Sequence, residues 1–275
     1  MNSKSDELSV DVKPRDEGFV ANVKTKIWKE TDSSNPYVAA KASCYGYDLQ
    51  ELMRKVSYPE MLYLLFRGEL PDAGAAELFN ALMVAFINPG PRDNGSRAAI
   101  QASIGKTDTL HVLPIGLSIF AGEKSGAKFI NDTMRFFVRA GKRSIADNIE
   151  LLKGLDDPRT HGFGSAYNGK DELAAVVLQT LCNTMGAGDS LATGLAINSE
   201  LDNLDNLDFG IMRHGVFAAA LADLGFLPKH APALYQLINA PGILAHGLEY
   251  VGKPRNQVPF LSDELYEIVG ENDDV

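Results

Sequence analysis

The groups in this 275-residue chain best suited to chemistry are its five histidines, a turn-rich loop and a few isolated cations. His214, in Arg213-His-Gly-Val216, stands at a helix start; its imidazole titrates near neutrality and can take a proton, or it can simply hydrogen-bond locally. His161, in Thr160-His-Gly-Phe-Gly164, precedes Ser165 by four residues and is that serine's one near neighbour able to act as a base. Lys124, in Gly122-Glu-Lys-Ser-Gly126, can donate to an oxyanion or, if desolvated, form a Schiff base with a ketone; a solvated turn lysine would look the same. Arg159, Arg213 and Arg255 carry the forked guanidinium that fits phosphate or carboxylate, a geometry that surface arginines also have without using it. His111 and His230 lie beside prolines or helix starts and read as structural.

Composition narrows the classes open to such groups. Two cysteines, Cys44 and Cys182, make no disulfide framework and no metal-ligand spacing, so they read as small buried residues and no metal is expected. A net charge of -10 without a basic run argues against nucleic acid and anionic membrane, and leaves any anionic ligand dependent on local positive sites. The longest apolar stretch, Ala174 to Ile197, is interrupted by Gln179, Asn183 and Asp189, so no membrane span is expected. The first nineteen residues are charged and read as a flexible N-terminus without a signal peptide, which points to a cytoplasmic protein.

Helices must do the positioning. Lys24 to Cys44 reads as an irregular or weakly β lead-in around Thr31–Pro36. Asp48-Leu-Gln-Glu51 and Ser57-Tyr-Pro-Glu60 have capping-box spacing and open two helices, the second ending at Gly68 and Pro71. Further helices are expected at about 75–86, 95–104, 109–121, 127–140, 172–198, 209–224 and 231–250. Between them fall the breaker Asn88-Pro-Gly-Pro91, the turn-rich loop 154–169 and a polar connection at 199–208, and the tail 254–259 reads as extended. Helix after helix with few strands is an all-α fold.

Four stretches carry a resemblance. Tyr45-Gly-Tyr-Asp-Leu-Gln-Glu-Leu52 resembles the Arg-Gly-Tyr-Asp-Ile-x-Glu-Leu segment of the citrate synthase and citryl-CoA lyase superfamily. Ser57 to Pro71 is similar to the helix that follows it there, while Gly215–Phe226 and Ala240–Glu249 are similar to two late helices. The short length most resembles the citryl-CoA lyase form. The resemblance implies a homodimer with a large helical domain, here 20–124 plus 216–275, and a small one, 125–215, closing over an acyl-CoA site. It also implies a coenzyme A thioester as substrate, with no bound cofactor.

Chemistry of that kind breaks or makes a carbon–carbon bond beside a thioester. A carboxylate removes an α-proton, one histidine stabilises the enolate oxygen and another polarises the ketone. By the resemblance, the position of the first histidine is Lys124, that of the second is Ser165 with Ala166 in place of an arginine, and that of the carboxylate is His214. A substrate-binding histidine falls on Pro89 and a carboxylate-binding arginine on Asn239. His161 can replace the second histidine after a small register shift, and His246 matches a position that is histidine in relatives. Three readings follow: an acyl-CoA carbon–carbon lyase or synthase with a rebuilt site, an inactive homologue that binds a ligand or pairs with an active paralogue, and a ligand-free structural dimer.

Overall fold

The computed structural model describes residues 22–31, 33–35, 37–122, 127–165, 169–204 and 209–266. Helix accounts for 62% of them and strand for 6%, as the all-α expectation requires. The chain divides into two compact units between Arg54 and Lys55.

In the first unit, β1 (Trp28–Thr31), β2 (Lys41–Cys44) and β3 (Tyr47–Asp48) form a three-stranded antiparallel sheet. Cys44 faces Tyr47 across a two-residue turn whose members, Tyr45 and Gly46, both have positive φ, 49° and 91°. A turn of that hand matches the twist of the strands it joins. The Asp48 carboxylate then accepts from Gln50 N–H at 2.9 Å and Glu51 N–H at 3.1 Å, starting α1 (Leu49–Lys55).

The second unit begins with α2 (Tyr58–Arg67). Its capping box is complete: Ser57 N–H donates to Glu60 at 2.8 Å while Glu60 N–H reaches the Ser57 hydroxyl. Gly68, left-handed at φ 82°, ends the helix. Asp72, Asp93 and Asp108 cap α3 (Ala73–Phe86), α4 (Asn94–Ile104) and α5 (Thr109–Phe120). Next come α6 (Ile130–Ala140) and α7 (Ile145–Lys153). Beyond the turn-rich loop lie α8 (Glu172–Cys182), α9 (Asp189–Asp202), α10 (Arg213–Asp223) and α11 (Ala231–Glu249). Helix α10 is central, since every residue from His214 to Leu221 is buried. Around it Phe217 meets Phe86 at 5.1 Å and Tyr235 at 4.8 Å, and Tyr235 stacks on Phe120 at 5.3 Å.

Five local expectations change. The stretch 172–198 is two helices, broken between Cys182 and Asp189. There the Asp223 carboxylate accepts the N–H groups of Gly188, Ser190 and Leu191 at 2.8–3.0 Å and caps α9 from another helix. Helix α9 then continues to Asp202, into the segment expected to be a loop, because Asn198 and Leu201 turn inward. Helix α10 starts at Arg213 rather than 209, because β5 (Gly210–Ile211) pairs antiparallel with β4 (Phe163–Gly164). Helix α7 and the 3-10 turn Arg255–Gln257 were not anticipated.

Candidate acid–base site at the start of α10

Backbone contacts place His214 before any side chain does. Met212 N–H donates to Gly162 O at 2.9 Å, tying the entry of α10 to the loop that carries His161. Gly162 has φ 85°, and a Cβ there would lie 2.6 Å from Gly215 Cα and 2.7 Å from Thr133 Cγ2. Only two glycines in register let the loop, α6 and α10 meet this closely. The loop itself is a 3-10 turn, Pro158–His161, capped by Asp157, which accepts Arg159 N–H at 3.1 Å.

His214 Nε2 lies 2.7 Å from Arg159 O. A carbonyl can only accept, so Nε2 carries the proton and the lone pair is on Nδ1. The ring stands 5.8 Å from that of Phe129. Burial pushes the imidazole below its usual pKa; the hydrogen bond to Arg159 O opposes this, the Arg159 charge adds to it, and Asp171 and Asp157 oppose it. His214 is thus neutral near pH 7, with Nδ1 as its basic atom.

Arg159 is held by its neighbour. Its Nε and Nη2 donate to the two Asp157 carboxylate oxygens at 2.7 and 2.8 Å, and its Cζ lies 6.0 Å from the Phe129 ring centre. This bidentate pairing holds the Asp157 carboxyl below its usual range against a smaller effect of burial. His161 sits one step along the turn. Thr160 Oγ1 donates to Asp157 O at 2.7 Å, so its 2.9 Å contact with His161 Nδ1 has the imidazole donating and leaves Nε2 as the acceptor. The His161 ring stands edge-on to Phe136 at 5.1 Å, and burial lowers its pKa.

Arg213 turns toward the other side of α10. Its guanidinium covers Phe86 at 5.4 Å and donates to Asn88 O at 3.4 Å. Asn88 Oδ1 accepts from Gly90 N–H at 2.8 Å and from His246 Nε2 at 3.0 Å. The turn is seated on α11 beside Pro241, which stands inside the helix: Gly242 N–H donates to Ile87 O at 2.9 Å.

The structure therefore gathers His214, Arg159 and His161 on one side of the α10 N-terminus and Arg213 on the other. Ser165 is exposed and donates to Gly169 O at 3.3 Å. Asn239 is fully buried; its Nδ2 donates to Tyr235 O at 2.9 Å and its Oδ1 has no partner. Arg255 is exposed in the turn after α11. Lys124 and Ala166 lie outside the described residues. Sequence reasoning missed Asp157, Phe129 and the Asn88 hub. Asp157-Pro158 carried a legible N-cap signature, whereas no local pattern marked Phe129. Among the described residues no group of three or more His, Cys, Asp or Glu could hold a metal, and no helix is long and apolar enough to cross a membrane.

No protein-family model matches the sequence, and no curated sequence matches it significantly. Solved structures do match. Citryl-CoA lyase from Hydrogenobacter thermophilus superposes with a TM-score of 0.75 at 21% identity, over 92% of this chain and 96% of that one. ATP citrate lyase from Methanothrix soehngenii, solved with citrate and coenzyme A, gives 0.65 at 19% identity over 98% of this chain, which spans 48% of that enzyme. Citrate synthase from Thermoplasma acidophilum, in a ternary complex with carboxymethyl coenzyme A and oxaloacetate, gives 0.58 at 15% identity over 80% of this chain and 59% of the other. The chain therefore has the all-helical fold of the citrate synthase and citryl-CoA lyase superfamily.

Proposed function

We propose that this protein is an acyl-CoA carbon–carbon lyase or synthase whose acid–base site is rebuilt around His214. The observation that carries the reading is the neutral, buried imidazole of His214 at the α10 N-terminus, with Nε2 held by Arg159 O and Nδ1 left basic. An α-proton beside a thioester would pass to that Nδ1, and the developing enolate would need a cation such as Lys124, because the neutral His161 leaves only an acceptor at Nε2. Arg213, whose contacts are a backbone carbonyl and an aromatic face, is the candidate for a substrate carboxylate or phosphate. Asn239, Arg255 and Ser165 are weaker candidates for contact with substrate. The reading includes the division into a large domain (20–124 and 216–275) and a small one (125–215), a homodimer or higher even oligomer, and a cytoplasmic setting.

A second reading has a specific observation behind it. Arg159 is neutralised by Asp157, Ser165 is bonded to a loop carbonyl and Asn239 is turned into the core, an arrangement that also suits an inactive homologue binding a ligand or pairing with a paralogue. Two measurements separate the readings. Coenzyme A and acetyl-CoA should raise the melting temperature under both, since a ligand bound only by the folded state stabilises it. Turnover of acetyl-CoA with a panel of ketoacids, abolished in His214→Ala, is expected under the first alone. Absence of any thermal shift at millimolar coenzyme A would count against both.

A further inference from the structure

Away from His214, a cavity of about 730 Å³ opens between α4 and the chain that follows α11. Its size is that of small-molecule sites, about 300–1,000 Å³. Arg92 and Arg97 line it together with Gln101, Ile100, Tyr250 and Val258, and among the described residues no acidic side chain does. Arg97 and Gln101 are one helical turn apart and share a face of α4. The nearest carboxylate in sequence, Asp93, is spent elsewhere: it accepts Gly95 and Ser96 N–H at 2.7 and 3.3 Å and is half-buried. Among the described residues neither Arg92 nor Arg97 makes an ion pair or side-chain hydrogen bond. Two unneutralised guanidiniums in a chain of net charge -10 form a local positive site. The rest of the wall is Gln257 and apolar or aromatic side chains.

We propose that this cavity binds an organic phosphate, with the phosphate on Arg92 and Arg97 and an apolar or aromatic body against Ile100, Val258 and Tyr250. The helix N-terminal donors of α4 are already taken by Asp93, so recognition falls to the guanidinium forks, which match phosphate oxygens bidentately. Tyr250 offers a ring for stacking and is itself covered by Lys253 Nζ at 4.1 Å. The inference is independent of the chemistry proposed for His214.

Calorimetric titration of the full chain with ADP and with adenosine tests it. ADP is expected to bind with a Kd of about 1 mM or tighter, and adenosine at least about tenfold more weakly. Arg92→Gln and Arg97→Gln, each checked for native circular dichroism, are expected to weaken ADP about tenfold, while His214→Ala leaves its affinity unchanged. Saturating acetyl-CoA is expected not to displace ADP. The proposal is overturned if ADP gives no heat, if adenosine binds equally well or if both glutamine variants bind like wild type. Displacement by acetyl-CoA would also overturn it, by making the cavity part of an acyl-CoA site, and so would variants that alter the sedimentation coefficient in place of affinity, by making it a subunit contact.

Discussion

His214 shows how little of a residue's role is set by its type. A histidine at a helix start can titrate with solvent, but here burial and the Arg159 charge depress its pKa, and His161 is depressed by burial as well. In the unfolded chain both return to about 6.5, so the unfolded state binds more protons as pH falls below that value. Their contribution is therefore fully present above about pH 6.5 and is lost as pH falls through the lower folded values. The melting temperature should drop between about pH 7.5 and pH 5.5, and His214→Asn should flatten that drop. A pH-independent melting temperature, or an equal drop in the variant, would show that His214 is not held neutral.

Helix ends are where single side chains govern whole elements. The Asp223 carboxylate satisfies three orphan N–H groups at the start of α9. Asp223→Ala should cost about 2 kcal/mol, read as a lower urea midpoint at unchanged slope. A midpoint within error of wild type would mean that water replaces the cap. Within α11, Pro241 cannot donate, and Gly242 sends its N–H to Ile87 O at the end of α3. A Cβ on Gly242 would lie 2.5 Å from Asn88 Cα and 2.6 Å from Ile87 O, both backbone atoms that cannot swing aside. Gly242→Ala should therefore destabilise by about 2 kcal/mol or more, and should also disturb the Asn88 contacts to Arg213 and His246. Retention of wild-type stability would show that the 87–90 turn is free to shift.

At the scale of the whole molecule, the fold is that of the solved citryl-CoA lyase and citrate synthase structures, and in the reading proposed above different groups stand at the family's catalytic positions. Purified protein should make no citrate from acetyl-CoA and oxaloacetate, and should not cleave citryl-CoA, at the ordinary enzymatic rate of about 1 per second or above. Turnover at that rate in a coupled assay would sink the rebuilt-site reading. Helix α5 presents Leu110, Ile115 and Ile119 to solvent, and Val84 on α3 and Ile87 at its C-terminal cap are exposed as well. Apolar rows of this kind are expected to be covered in an even oligomer, and a monomer in sedimentation at micromolar concentration would count against that expectation.

Sequence alone determined most of the helices, which rest on local rules, and the candidate list, which rests on residue type and on a family resemblance. Capping at Ser57 and Asp48 and termination at Gly68 depend on spacings of a few residues, and these survived intact. What stayed out of reach depends on pairs far apart in the chain. Asp223 splitting α8 from α9, β4 pairing with β5, and Gly162 meeting Gly215 each join segments thirty or more residues apart, and no local period encodes them. Only the tertiary structure decided that Asn239 faces the core while Arg213 leans on Asn88. It alone set the proton of His214 on Nε2, because the carbonyl that holds it there belongs to Arg159, on a loop that packing brings to the start of α10.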